Sequence, residues 1–195
     1  MARRAVFLDR DGVLIRDVHL LTHPRQIELC ASAPWALRQL HDRGFLVVVV
    51  SNQTVVARGL ATEQDVETVH ASIQKLLGGS DRTKVDRFYF CPHHPSATLH
   101  QYRASCDCRK PRPGMLLQAA ADLDLDLAAS YLVGDRISDI VAGNRVGCRT
   151  VLVKTGMHSK APIESSDGVT SLVEPDYVCA DVAEAVKLIL GFSPK

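Results

Sequence analysis

Two aspartates, Asp9 and Asp11, stand two residues apart in Phe7-Leu8-Asp9-Arg10-Asp11-Gly12-Val13, directly after the apolar run Ala5 to Leu8. Carboxylates so placed suit metal-assisted phosphoryl transfer. One attacks phosphorus, the other moves the proton, and a divalent cation neutralises carboxylate and phosphate together. The same residues also fit a plain strand-end turn in which Gly12 supplies positive φ, so the rest of the chain must decide. Ser51-Asn52-Gln53 follows the apolar run ending at Val50; its hydroxyl and amides can hydrogen-bond non-bridging phosphate oxygens without adding charge. Arg109-Lys110-Pro111 precedes a helix opening near Pro113. Lys110 offers a point charge to a transferring phosphoryl group, and Arg109 a planar fork for a second anionic group. Val133-Gly134-Asp135 ends another apolar run, with Asp139 four residues on. Asp135 can ligate Mg²⁺ and Asp139 can order its water shell, since this ion takes few carboxylates and keeps several waters. Each cluster is weak alone. Four in this order, each at a strand end or helix start, are a strong signal.

A second kind of chemistry lies in the loop at 91–108. Cys91-Pro92-His93 and Cys106-Asp107-Cys108 offer three thiolates and an imidazole from two short pairs. Four nitrogen and sulfur ligands with no open position make a tetrahedral, structural Zn²⁺ site. His94 is a rival to His93, and His100 a more distant one. The alternative is a pair of unliganded thiol pairs on a surface loop, which a reducing compartment seldom leaves exposed. Because Cys108 abuts Arg109 and Lys110, zinc at this site would stiffen the backbone that delivers both cations.

The elements that must position these groups alternate strand and helix. Ala5 to Leu8, Phe45 to Val50, Arg87 to Cys91, Tyr131 to Val133 and Thr150 to Val153 read as strands. The four valines at 47–50 fit a central parallel strand covered on both faces. Helices are predicted over Pro34 to Arg43, stopped by Gly44, and from a Thr62 cap with Asp65 to about Leu77. Others run over Pro113 to Leu123, Ile137 to about Val146, and from Asp181 to Leu190. Strands separated by helices imply an α/β, doubly wound parallel sheet. Two segments lack regular pattern: Pro92 to Arg112, and the Ser-rich stretch Gly156 to Glu174, expected to be a surface loop. Residues 1–195 read as one domain without internal repeats.

Bulk properties narrow the partners. A formal net charge of +1 predicts no nucleic-acid-binding face and no anionic-membrane patch. No stretch approaches the roughly 18 to 20 apolar residues of a membrane span, and Met1-Ala2-Arg3-Arg4 runs straight into a short strand without a signal-like core. A soluble, cytoplasmic monomer is the expectation. Of the six cysteines, Cys30, Cys148 and Cys179 sit among apolar neighbours and should pack as small core residues.

Together, Asp9/Asp11, Ser51, Lys110 and Asp135/Asp139 resemble the four motifs of the haloacid dehalogenase superfamily of phosphatases, over residues 5 to about 155. That resemblance implies a Rossmann-like domain with Asp9 as nucleophile, forming an aspartyl-phosphate. Asp11 would act as general acid for the leaving alcohol and then as general base for water. The ion Mg²⁺ would be held by Asp9, the backbone carbonyl of Asp11 and Asp135. The residues alone do not say which aspartate attacks. The zinc loop, running on through Arg109-Lys110-Pro111-Arg112-Pro113-Gly114-Met115, resembles the heptose bisphosphate phosphatase branch; histidinol-phosphate phosphatases share a shorter form. By this resemblance Asn52, Gln53, Arg58, Arg109 and Arg136 face substrate, a small phosphorylated sugar cleaved on the way to nucleotide-activated heptose. No large cap domain is expected, because one loop and one helix separate Val13 from the next strand. Two stretches depart from that branch: Thr54-Val55-Val56 replaces a small residue and a glycine, and His19-Leu20-Leu21 lacks the usual tyrosine. Both are expected to face the sugar rather than the phosphate. A zinc-stabilised binding module without catalysis is the alternative of another class, but it would have no use for a second aspartate placed for proton transfer.

Overall fold

Successive side chains of a strand point to opposite faces, so a run of four valines must bury both. In the computed structural model, which describes residues 2–156 and 173–191, Val47 and Val49 pack into one core and Val48 and Val50 into another. All four are fully shielded from solvent, and each such burial contributes roughly 1.5–3 kcal/mol. They belong to β2 (Leu46–Asn52), whose neighbours are β1 (Ala5–Leu8) and β3 (Arg87–Cys91). With β4 (Tyr131–Gly134), β5 (Arg149–Val153) and β6 (Tyr177–Cys179) they form one parallel sheet, ordered β3-β2-β1-β4-β5-β6. Helices α1 (Ala33–Asp42), α3 (Glu63–Leu76) and α6 (Val182–Ile189) contribute Leu37, Leu40, Ile73 and Val186 to the core with Val6 and Leu8. Helices α4 (Gly114–Leu123) and α5 (Ile137–Asn144) supply Met115, Leu116 and Ala142 to the core with Ala5 and Phe7. The doubly wound α/β expectation is met. None of these helices is long and apolar enough to cross a membrane.

The differences from the sequence expectations have local causes. Strand β2 extends through Ser51 and Asn52 because the β3 ladder continues, pairing them with Phe90 and Cys91. A short helix, α2 (Thr54–Ala57), follows at once, in spite of its β-branched residues. Strand β6 escapes the hydrophobic pattern because it is three residues long at a sheet edge, with Val178 52% exposed. The Thr62–Asp65 capping box forms in both directions, at 3.1 and 2.8 Å, and Gly44 ends the α1 region at φ 76°. Between β1 and α1 the described chain holds just one helical turn, Pro24–Gln26, so any cap is a loop. Most of the Ser-rich stretch Gly156 to Glu174, residues 157–172, lies outside the described residues.

One buried group gives the fold a testable acid sensitivity. His70, on the inner face of α3, is 2% exposed and stacks on Phe88 with ring centroids 4.5 Å apart. Neither ring nitrogen has a hydrogen-bond partner among the described residues. Burial, with the Arg10 charge adding, lowers its pKa from 6.5 to about 3. The unfolded chain therefore gains a proton below pH 6.5 that the native state does not, and stability falls as pH drops towards 3. Between pH 6.5 and pH 5 the loss from this group is about 2 kcal/mol. Replacing His70→Phe removes that contribution, so urea unfolding of the variant should lose about that much less stability over this range. Parallel losses in both proteins would mean that His70 is not held neutral.

Candidate active site

Strand β1 lies where the chain order reverses between β2 and β4, and ligands of open α/β sheets bind in the crevice beyond such strand ends. Asp9 follows β1, and its N–H donates to the Val133 carbonyl at 2.9 Å, tying the ends of β1 and β4 together. Asp135 follows β4 and Asp139 sits in the first turn of α5, both fully buried. Lys110, from the loop before α4, meets them with Nζ 3.2 Å from Asp9 Oδ1 and 2.5 Å from Asp139 Oδ1. Its Nζ also donates to the Val50 carbonyl at 2.7 Å. Burial alone would discharge this lysine, but Asp139 and Asp9 outweigh it and hold the pKa above the ordinary value. Burial raises Asp139 to about 6 against the pull of Lys110. Two glycines make room. A Cβ on Gly134 would overlap the Asp139 side chain, and one on Gly12, at φ +81°, would lie 2.8 Å from Asp135 Oδ2.

The β2 end supplies the other wall. Gln53 Nε2 lies 2.7 Å from Ser51 Oγ and 3.1 Å from Asp11 Oδ2. The Asn52 amide grips the Lys110 peptide from both sides, donating to its carbonyl at 2.9 Å and accepting from its N–H at 3.1 Å. Asn52 thus engages the lysine's backbone. A cavity of about 300 Å³ opens over these groups and includes Arg58, Arg109, Arg136 and His94 in its lining. Burial lowers the pKa of His94, with the Arg109 and Arg58 charges adding. His19 to Leu21, Thr54 and Val55 also line it, so both departing stretches reach the place where a substrate would sit.

Arg10 is the site residue that motif reading passed over. It is 1% exposed and holds the Asp11 carboxylate with Nε and Nη2 at 2.9–3.2 Å. The signal was present: strand period continues the inward face of Val6 and Leu8 to position 10, and a charge on a buried face needs a partner. Asp17 was likewise passed over; its Oδ2 accepts from Arg136 Nη2 at 3.3 Å across the cavity. No sequence spacing announces that contact.

The two metal expectations were tested on donor geometry. Carboxylate oxygens of Asp9, Asp135 and Asp139 all lie within 4.8 Å of one another, a hard-oxygen set that fits Mg²⁺. The Sγ atoms of Cys91, Cys106 and Cys108 are 3.1–3.4 Å apart, far beyond a disulfide bond of about 2.05 Å. His93 Nδ1 lies 3.8 and 3.6 Å from the Cys91 and Cys108 sulfurs. Donors about 2–2.3 Å from a central ion span roughly this range, so the set fits tetrahedral zinc. His94 turns its Nδ1 to the Ser96 N–H instead, and His100 begins a separate helical turn. Cys148 and Cys179 are buried, and burial raises their thiols to about 12 and about 11.

A parallel sheet gathering two strand-end aspartates, a buried lysine and a further acidic pair at its switch point defines a phosphatase of the haloacid dehalogenase type. A family model described as "HAD-hyrolase-like" matches residues 107–185. D-glycero-D-manno-heptose-1,7-bisphosphate 7-phosphatase of Chlorobaculum tepidum is 37% identical over 195 residues, 96% of this chain and 95% of that protein. D-glycero-beta-D-manno-heptose-1,7-bisphosphate 7-phosphatase of Escherichia coli K12 is 42% identical over 153 residues, 78% of this chain and 80% of the relative. The crystal structure of D,D-heptose 1,7-bisphosphate phosphatase from B. bronchiseptica, complexed with magnesium and phosphate, superposes with TM-score 0.80 at 30% identity, covering 97% of this chain and 99% of that one. The chain belongs to the haloacid dehalogenase superfamily of phosphoric monoester hydrolases, in the family of the heptose bisphosphate phosphatases.

Proposed function

We propose that the protein hydrolyses the 7-phosphate of D-glycero-D-manno-heptose 1,7-bisphosphate through an aspartyl-phosphate on Asp9. The observation carrying this reading is the buried Asp9–Lys110–Asp139 cluster beneath a cavity lined by Arg58, Arg109 and Arg136. An Asp9 carboxylate oxygen bonds to phosphorus as the sugar O–P bond breaks, and Asp11 gives its proton to the leaving oxygen. Water then attacks phosphorus and passes a proton to Asp11. The Asp9–phosphorus bond breaks, freeing phosphate and restoring the Asp9 carboxylate and the protonated Asp11. Lys110 stays charged throughout and offsets negative charge at the phosphoryl oxygens, while Ser51 and Gln53 hydrogen-bond them. Asn52 serves by fixing the Lys110 peptide.

Held by Asp9, the Asp11 carbonyl and Asp135, with Asp139 ordering its water, Mg²⁺ would neutralise the phosphoryl charge. Zinc on Cys91, His93, Cys106 and Cys108 would be structural. Arg109 donates to the His93 carbonyl at 3.0 Å, so the zinc loop holds a substrate-facing cation in place. A single-domain, cytoplasmic monomer is part of the reading, supported by a zinc site that needs reduced thiols.

Substrate preference tests it. The second phosphate engages Arg109 and Arg136, and charge-assisted contacts of this kind favour the heptose bisphosphate over histidinol phosphate by roughly 100-fold or more in kcat/KM. Arg109→Glu should remove the preference while sparing turnover of histidinol phosphate. Comparable rates on both substrates in the unmodified enzyme would discard the heptose assignment. The better anomer of the sugar would show what Thr54, Val55 and His19 to Leu21 select.

A further inference from the structure

We propose that Arg10 is the positioning residue of Asp11, saturating Oδ2 so that Oδ1 is the oxygen that carries the proton. The inference rests on the acid–base role given to Asp11 above. Arg10 continues the β1 alternation of Val6 and Leu8 and is 1% exposed. Burying a guanidinium is costly, and an apolar residue of similar size would serve stability as well or better. Its worth lies in geometry, because the planar fork sets the direction of a carboxylate as well as its charge. Asp11 is the carboxylate it pairs with among the described residues.

The two carboxylate oxygens are treated unequally. Oδ2 accepts from Arg10 Nε at 3.2 Å, from Arg10 Nη2 at 2.9 Å and from Gln53 Nε2 at 3.1 Å. Three N–H donors leave no room there for a proton. Oδ1 accepts a single bond, from Arg10 Nη2 at 3.1 Å, and keeps a lone pair. The proton given to the leaving oxygen, and taken later from water, therefore resides on Oδ1. Without Arg10 the carboxylate turns about its own bonds and the proton loses its address.

A leaving-group comparison separates this from a purely structural ion pair. Since kcat/KM reports events through departure of the first product, it isolates the step in which Asp11 acts as acid. A sugar alkoxide needs that proton; p-nitrophenolate leaves without it. Arg10→Gln should lower kcat/KM about 100-fold for the heptose bisphosphate, at the low end for a lost general acid, and no more than about 3-fold for p-nitrophenyl phosphate. Arg10→Lys should fall between, because an ammonium keeps the charge and loses the fork. If circular dichroism shows Arg10→Gln unfolded, the Lys variant carries the comparison. Equal losses on both substrates, or no loss on either, overturn the inference. A wild-type enzyme that turns over another sugar phosphate instead fails the heptose reading alone, and the ratio is then taken with that sugar.

Discussion

Asp9→Asn abolishes turnover while the protein remains folded. The amide is nearly the size of the carboxylate and can still accept the Arg10 N–H bond that Asp9 Oδ1 receives at 2.7 Å. Lys110 keeps Asp139 as a counter-charge at 2.5 Å, so the buried cation is not stranded. What disappears is the nucleophile: an amide oxygen does not displace an alkoxide from phosphorus. Loss of a group at the centre of covalent catalysis costs on the order of 10⁴-fold or more in kcat. Phosphate release from the heptose bisphosphate, measured beside a thermal melt, checks both halves. A folded variant that keeps a sizeable part of wild-type turnover removes Asp9 from the nucleophile's role.

Cys106→Ser should strike stability and metal content harder than chemistry. Its sulfur lies 3.4 and 3.2 Å from those of Cys91 and Cys108, at the heart of the four-donor cluster. A serine hydroxyl is a poor zinc ligand, and structural zinc contributes on the order of 10 kcal/mol to the domains that bind it, so even partial loss is large. Beside the metal cluster, the segment is tied by Arg109 to the His93 carbonyl at 3.0 Å, by the Gly114 N–H to the Asp107 carbonyl at 2.9 Å and by Arg112 to the Ser105 carbonyl at 3.0 Å. Of these groups, Arg109 is the one that also lines the cavity. Arg109 is therefore the catalytic-side group first affected, and KM for the bisphosphate should rise more than kcat falls. Zinc per chain, read by elemental analysis, should drop well below that of the wild type, with a lower Tm. Full zinc retention means the ligand set is misassigned.

Much of this was legible in the chain because the determining interactions are local. The strands β1 to β5 announce themselves as apolar runs, and the capping box at Thr62 and the stop at Gly44 act within a few residues. The two candidate metal sets could be read because their members lie in short motifs: Asp9 and Asp135, with Asp139 beside them, and Cys91-Pro92-His93 with Cys106-Asp107-Cys108. His93 is the imidazole the motif reading prefers, with His94 beside it as the rival. Adjacent side chains diverge, and only the folded loop shows that His93 faces the sulfurs while His94 lines the cavity.

By itself, then, the sequence determined the α/β order of elements, the motif residues and the chemistry those residue types allow. Tertiary structure decided the partners. Lys110 lies 101 residues from Asp9 and 29 from Asp139 in the chain, and it is the parallel sheet's reversal between β2 and β4 that converges them on one ammonium. It also decided that Asn52 grips the Lys110 peptide, that Asp17 reaches Arg136, and that Arg10 turns inward to hold Asp11. The physical reason is the same in each case. Periodicity and propensity record how a residue meets its neighbours in the chain, whereas the direction of a buried charge is set by which distant groups the packed sheet and helices bring within hydrogen-bond reach.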